Sequence, residues 1–120
     1  MKVLIVEDDP TNQFIANRLF QSDFEISNAK NSSEAIELFE KEDFNAVLID
    51  LKLGPESLSG EQLLHELKQT EKGKSVKMIA VSSFSMPEEA ATFIRAGFDM
   101  FLNKPYSKEK MVESIKGLIG

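Results

Sequence analysis

Short runs of four or five apolar residues recur along the chain, and each run stops at a polar or charged residue. Unbroken apolar runs of this length are typical of strands that are buried on both faces of a parallel sheet. Longer stretches between them carry apolar residues at helical spacing. The predicted strands cover residues 3–6, 45–50, 77–81 and 100–102, and residues 25–29 form a weaker strand candidate with Ile26 as its apolar centre.

The first helical stretch follows Asp9 and Pro10, which suit the N-cap and the first helical position. It extends to Gln21. Its apolar residues at helical spacing are Phe14, Ile15, Leu19 and Phe20.

Capping signals mark the other helices. Asn31 with Glu34, and Ser85 with Glu88, have the spacing of a capping box. The remaining signals are a helix start near Gly60, a stop at Gly97 and a candidate cap at Ser107. Strands that alternate with helices in this way predict an α/β protein, in which helices cover both faces of a parallel sheet.

Composition narrows the class of protein. A chain of 120 residues predicts one domain over residues 1–120, and a net charge of −6 argues weakly against nucleic acid as a partner. The absence of cysteine excludes disulfides and thiol chemistry. No apolar run is long enough to span a membrane. Because Met1 leads almost directly into the first strand, we expect no signal peptide and a cytoplasmic protein.

Polar side chains stand where four of the predicted strands end. Glu7 and Asp8 follow the first strand, Asp50 ends the third, Ser82 follows the fourth and Lys104 follows the fifth. The carboxyl ends of parallel strands lie along one edge, and ligands of open α/β sheets bind there. We therefore expect three carboxylates, a hydroxyl and an ammonium group to converge.

This set of groups is suited to phosphoryl transfer. Clustered carboxylates stay ionised only near a cation, and an all-oxygen ligand set favours Mg²⁺. The Lys104 ammonium can pair with Asp50 or with a phosphoryl oxygen, and Ser82 can donate a hydrogen bond to such an oxygen. A carboxylate can act as the nucleophile and form an aspartyl phosphate, which makes Asp50 the predicted acceptor.

Four motifs, in this order and spacing, resemble the receiver domains of two-component response regulators over the whole chain. They are Val6-Glu7-Asp8-Asp9, Leu48-Ile49-Asp50, Ala80-Val81-Ser82-Ser83 and Lys104-Pro105. The run Asp9-Pro10-Thr11-Asn12-Gln13 is similar to that of receivers in hybrid kinases and phosphorelays. The resemblance implies a doubly wound (βα)5, flavodoxin-like three-layer fold with strand order 2-1-3-4-5.

The resemblance also implies a function and roles for the site residues. A histidine kinase or a histidine phosphotransfer domain would donate a phosphoryl group to Asp50 in a Mg²⁺-dependent reaction. Glu7, Asp8 and Asp50 would hold the metal with the backbone carbonyl of Lys52, and Lys104 would bind the phosphate. The chain would then be a signalling module rather than an enzyme.

By the same resemblance, Ser82 and Phe101 would be the switch residues, and the Lys104–Pro105 peptide bond would be cis. Phosphorylation would change the surface made by the fourth helix, the fifth strand and the fifth helix for a partner protein. Lys52 and Phe84 occupy the positions that tune the lifetime of the aspartyl phosphate in this family. Neither side chain aligns water easily, so we expect slow self-dephosphorylation.

The loop after Asp50 departs from the family pattern. Gly54 stands where a proline is common, Pro55 follows, and Gly60 comes about two residues late, with the extra residues near 56–59. This loop supports the alternative of a receiver-like docking module that is not phosphorylated. An aspartate-nucleophile phosphatase is disfavoured because Lys52 stands where its second aspartate belongs. A nucleotide-binding protein is disfavoured because there is no glycine-rich phosphate loop.

Overall fold

The computed structural model describes residues 1–54, 57–82, 87–104 and 107–120, and for residues 87–89 it describes the backbone alone. Strands and helices alternate along these segments, and a 3₁₀ turn at Lys72–Lys74 precedes the fourth strand. The elements are β1 (Lys2–Val6), α1 (Pro10–Phe20), β2 (Glu25–Ala29), α2 (Ser32–Lys41), β3 (Ala46–Asp50), α3 (Gly60–Lys68), β4 (Lys77–Ser82), α4 (Pro87–Ala96), β5 (Met100–Asn103) and α5 (Lys108–Ile119).

All strand pairs are parallel, and the strand order is β2-β1-β3-β4-β5. In the register, Val6 pairs with Ile49 and Asp50 pairs with Val81. The ends of β1, β3 and β4 are therefore level at one edge of the sheet. The predicted fold class and strand order are confirmed. Ligands bind α/β sheets of this kind where the strand order reverses, which here is between β1 and β3.

Two apolar layers cover the two faces of the sheet. Alternate residues of each strand enter different layers, so that Val47 and Ile49 pack on one side and Ala46 and Leu48 on the other. Buried residues of α2 and α3 belong to the first layer, and those of α1 and α5 belong to the second. Burial on both faces explains why the central strands are unbroken apolar runs.

The predicted start of α1 is confirmed, and that of α2 needs one correction. The Asp9 carboxylate accepts a hydrogen bond from the Thr11 amide at 3.1 Å, and the Asn31 side chain accepts one from the Glu34 amide at 2.9 Å. However, the Glu34 carboxylate accepts from the amide of Lys30, at 3.1 Å. The return bond of the predicted capping box is therefore displaced by one residue.

The apolar spacing in α1 identified the helix but not its buried face. Ala16 and Phe20 are buried, whereas the side chains of Phe14 and Ile15 are 62% and 41% exposed. Ser107 precedes α5, but its side chain makes no capping bond to the described part of that helix. The predicted capping box at Ser85–Glu88 lies outside the described residues. No helix in the described part is long and apolar enough to cross a membrane.

Two glycines have structural reasons for their position. Gly97 has φ of +123°, a backbone conformation that favours glycine, and it follows the last residue of α4 as predicted. Gly60 begins α3 against the end of β3. A Cβ atom on Gly60 would lie 2.8 Å from Leu51 Cα and 3.0 Å from the Asp50 carbonyl oxygen. The first turn of α3 therefore supports the backbone that carries Asp50.

We expect Gly60→Ala to lower the free energy of unfolding by roughly 1 to 3 kcal/mol, because the added methyl group meets backbone atoms that cannot move aside. Gly117→Ala is the matched control, since a Cβ atom there has no neighbour within 4 Å. In the interior of α5 that change should stabilise the helix by up to about 1 kcal/mol. Urea unfolding of both variants measures the difference, and equal effects would contradict the close packing at Gly60.

Candidate functional site

The sheet edge brings together side chains from four strands that are distant in sequence. Glu7 follows β1, Asp50 ends β3, Ser82 ends β4 and Lys104 follows β5. Glu7, Asp50 and Ser82 are all buried although they are polar or charged. Buried charges need partners, and the geometry of the edge shows which partners these are.

Lys104 joins two of the carboxylates. Its Nζ lies 2.7 Å from Glu7 Oε1 and 3.0 Å from Asp50 Oδ2, with only 15% of the lysine side chain exposed. The second Asp50 oxygen, Oδ1, accepts a hydrogen bond from the Lys52 amide at 3.0 Å. Both oxygens of Asp50 are therefore held in place. The lysine neutralises only one of the two buried negative charges.

Asp8 completes an acidic cluster. One carboxylate oxygen from each of Glu7, Asp8 and Asp50 lies within 4.8 Å of the others. Glu7 and Asp50 are buried, and Asp8 is exposed to solvent. A small group of carboxylate oxygens open to water on one side is the kind of site that Mg²⁺ prefers. The residues present therefore fit this ion.

The pKa values reflect the excess negative charge. Burial, together with the hydrogen-bonded and negatively charged Asp50, raises the pKa of Glu7 from 4.5 to about 7, although Lys104 opposes the shift. Burial lowers the pKa of Lys104, but hydrogen bonds and attraction to Glu7 and Asp50 outweigh this effect and leave it raised. The ammonium group therefore stays charged, and Glu7 holds a proton readily when no cation is bound.

Protonation of Glu7 gives a prediction for stability without added Mg²⁺. The folded protein keeps this proton up to about pH 7, whereas the unfolded chain releases it near 4.5. The stability that protonated Glu7 contributes is therefore complete at pH values below the pKa of Glu7 in the unfolded chain. It is lost as the pH rises through the pKa of Glu7 in the folded protein. Glu7→Gln keeps the neutral form at every pH. At pH values above the pKa of Glu7 in the folded protein, the free energy of unfolding of this variant should exceed that of the wild type by on the order of 3 kcal/mol.

Urea unfolding at several pH values, from about pH 4 to about pH 8, measures this difference. Glu40→Gln serves as the control because Glu40 is exposed on α2, and it should follow the wild type throughout. A Glu7→Gln variant with the same pH dependence as the wild type would contradict the raised pKa.

Ser82 and Phe101 belong to β4 and β5, the two strands that follow β3 in the sheet order. Ser82 lines a cavity of about 420 Å³ together with Lys52 and Phe93. Phe101, in β5, is partly buried and its ring stacks on Phe93, with 5.8 Å between the ring centroids. Aromatic contacts therefore extend from the cavity beside Ser82 to the predicted switch residue. Phe84 and Pro105 lie outside the described residues, and the predicted cis bond between Lys104 and Pro105 therefore does too.

Ser32 is a residue near this site that sequence reasoning missed. It is the first residue of α2, it is buried, and it exchanges hydrogen bonds with the loop that follows Asp50. The only sequence signal was the departure of that loop from the family pattern. Its partners lie 25 and 26 residues further along the chain, a separation at which helix and strand periodicity carry no information.

Comparison with known proteins identifies the family. The family model for the response regulator receiver domain matches residues 3–116. This chain is a receiver domain. The predicted resemblance to two-component signalling proteins is thus confirmed. The receiver domain is similar to the polar-differentiation response regulator DivK of Brucella anthropi, with 29% identity over 119 residues, 98% of this chain and 95% of DivK. It matches DivK of Brucella ovis to the same extent.

Solved structures agree with the fold. A CheY-like response regulator receiver domain protein from Methanospirillum hungatei JF-1 is 27% identical, with a TM-score of 0.83 over 98% of this chain and 92% of that one. The receiver domain of the sensor histidine kinase PA1611 from Pseudomonas aeruginosa PAO1 is 24% identical, with a TM-score of 0.88 over 99% and 97% of the two chains. That structure holds a magnesium ion in its active site cleft.

Proposed function

We propose that this receiver domain is a phosphorylation switch, in which Asp50 accepts a phosphoryl group from a phosphohistidine in a Mg²⁺-dependent reaction. The donor would be a histidine kinase or a histidine phosphotransfer domain. One observation carries the proposal: the Lys104 ammonium group lies 3.0 Å from Asp50 Oδ2, beside an acidic cluster at the carboxyl edge of the sheet. This arrangement supports Asp50 as the nucleophile, because its carboxylate contacts a lysine and belongs to a cluster that could hold a cation.

The acidic cluster supports Mg²⁺ as the cation. Glu7, Asp8, Asp50 and the backbone carbonyl of Lys52 would hold the ion, as carboxylate and carbonyl oxygens suit it. When bound, it would neutralise negative charge on the phosphoryl group. The raised pKa of Glu7 supports this assignment, because it marks a place where negative charge exceeds positive charge. The magnesium ion in the Pseudomonas receiver domain also supports it.

The transfer itself needs little beyond positioning and charge neutralisation. An oxygen of Asp50 would attack phosphorus while the bond from phosphorus to the donor nitrogen breaks, and the imidazole would leave with the bonding electron pair. The Lys52 amide, which donates to Asp50 Oδ1, and Lys104 hold the carboxylate in a fixed orientation for this attack. Lys104 would then bind a phosphoryl oxygen.

The response would begin at Ser82. Its hydroxyl would donate a hydrogen bond to a phosphoryl oxygen and draw the end of β4 toward Asp50. The cavity that Ser82 shares with Phe93, and the stacking of Phe93 on Phe101, would transmit this change to the surface of α4, β5 and α5. A difference of a few kcal/mol between two states is enough for such a switch.

Intact-mass measurement after incubation with acetyl phosphate tests the proposal. We expect a single phosphate adduct that requires Mg²⁺ and is absent when the ion is chelated. A receiver-like docking module would give no adduct in either condition. Such a result, obtained beside a receiver of known activity that is labelled in the same mixture, would overturn the proposal.

We also expect slow loss of the phosphate once it is formed. Lys52, whose side chain is exposed, and Phe84 offer no acid or amide group that would align a water molecule for attack on phosphorus. After removal of acetyl phosphate, the adduct should persist for minutes or longer in the presence of Mg²⁺. Intact-mass spectra of samples quenched at successive times measure the loss. Complete loss of the phosphate within seconds would contradict this expectation.

A further inference from the structure

Two hydrogen bonds join Ser32, the first residue of α2, to the loop that follows Asp50. The Ser32 amide donates to Ser57 Oγ at 2.9 Å, and the Leu58 amide donates to Ser32 Oγ at 3.0 Å. Ser32 is only 6% exposed, so water competes poorly for either bond. One serine thus pairs its backbone and its side chain with the same short segment of the loop.

These bonds also fix the part of the loop that approaches the acidic cluster. The Ser57 amide donates to the Gly54 carbonyl oxygen at 3.0 Å, which couples the position of Gly54 to that of Ser57. A Cβ atom on Gly54 would lie 3.5 Å from Asp8 Oδ2. The backbone at Gly54 therefore lies near enough to the exposed carboxylate of the cluster for an added methyl group to touch it.

The loop is held at its two ends by other contacts. Near its start, the Lys52 amide donates to Asp50 Oδ1. At its far end, Gly60 packs on the Leu51 backbone. Between these points, Leu53 packs against the first apolar layer, and Ser32 makes the described hydrogen bonds that join Ser57 and Leu58 to another element. Loss of the Ser32 bonds would release Ser57 and Leu58, and with them the hydrogen bond that positions Gly54, while both ends of the loop stay in place.

We propose that Ser32 is a positioning residue for the phosphoacceptor site. Through Ser57 and Leu58 it holds the loop after Asp50 against α2, and thereby keeps Gly54 beside Asp8. The inference rests on the proposed function, because the geometry that it maintains is that of the cation site. The lengthened loop, which departs from the family pattern, thereby has a role in holding the cation site.

The experiment compares Ser32→Ala, Ser57→Ala and Ser57→Thr with Ser33→Ala. Ser33 is exposed in the same first turn of α2 and is the matched control. Mg²⁺ affinity is measured by calorimetric titration, and acetyl phosphate labelling is measured at limiting and at saturating Mg²⁺. Hydrogen exchange at the Leu58 amide reports whether its bond has been lost, and circular dichroism reports whether each variant is folded.

We expect Ser32→Ala and Ser57→Ala to weaken Mg²⁺ binding roughly five-fold, the equivalent of one ordinary hydrogen bond. Labelling should slow at limiting Mg²⁺ and recover at saturating Mg²⁺. Ser57→Thr, which keeps the hydroxyl, should restore affinity, and Ser33→Ala should match the wild type. Ser57 lies in a partly exposed loop position. The Ser57 variants should therefore fold even if Ser32→Ala, which changes a buried residue, does not fold.

Two results would overturn the inference in distinguishable ways. If the Leu58 amide exchanges faster in Ser32→Ala or Ser57→Ala but Mg²⁺ affinity equals that of Ser33→Ala, Ser32 has only a structural role and the proposed function stands. If the wild type neither binds Mg²⁺ nor accepts a phosphate, the proposed function fails and the positioning role fails with it.

Discussion

Replacing Asp50 by asparagine should abolish labelling by acetyl phosphate. Asparagine has nearly the same shape, and its side-chain oxygen can still accept the hydrogen bond that the Lys52 amide donates to Asp50 Oδ1. The amide lacks the negative charge that makes a carboxylate a nucleophile. The fold should therefore persist while the acceptor is lost, and intact mass in the presence of Mg²⁺ should show no phosphate adduct.

Asp9→Asn is the matched control for this experiment. Asp9 is an exposed carboxylate in the same acidic segment as Glu7 and Asp8, and it caps α1. Asparagine caps helices about as well as aspartate, so this variant should fold and take up one phosphate like the wild type. If Asp50→Asn still gained one phosphate per chain, another residue would be the acceptor.

Replacing Lys104 by methionine should destabilise the protein by roughly 3 to 5 kcal/mol near neutral or higher pH, because it leaves buried carboxylates without their positive partner. Methionine fills a similar volume without the charge. Glu7 is 1% exposed and Asp50 is 7% exposed, so solvent cannot replace the ammonium group. Urea unfolding without added Mg²⁺ measures the loss.

Lys116→Met is the control for charge removal. Lys116 Nζ also lies 3.0 Å from a carboxylate, that of Asp23, but 47% of its side chain is exposed. Surface pairs of this kind contribute at most about 1 kcal/mol. The loss in Lys104→Met should shrink at acid pH, since Glu7 then carries a proton. Equal losses in the two variants would show that the Lys104 contacts are not stabilised by burial.

The fold was predictable because its signals are local. Each central strand must be apolar on both faces, so the runs at residues 3–6 and 45–50 defined strands to within one residue. The convergence of Glu7, Asp50 and Lys104 followed from the same prediction, because parallel strands end at one edge. Once the alternation of strands and helices was recognised, residues up to 97 positions apart were expected at the same site.

Features that depend on which surfaces meet were not predictable. The apolar spacing in α1 is the same whether or not a neighbour covers Phe14 and Ile15, and in the structure both side chains are exposed. The raised pKa of Glu7 depends on the extent of burial, which a sequence does not state. The hydrogen bonds of Ser32 to Ser57 and Leu58 join two polar segments, and hydrophobic periodicity contains no signal for such pairs.

The most direct measurement of the central claim is the position of the phosphate on the chain. After labelling with acetyl phosphate and Mg²⁺, borohydride reduction marks the phosphorylated carboxylate, and peptide mass spectrometry locates it. We expect the mark at Asp50 alone, and only when Mg²⁺ was present. A mark at Glu7, Asp8 or any other residue, or a mark at Asp50 that forms equally without the ion, would contradict the assignment of Asp50 as the Mg²⁺-dependent acceptor.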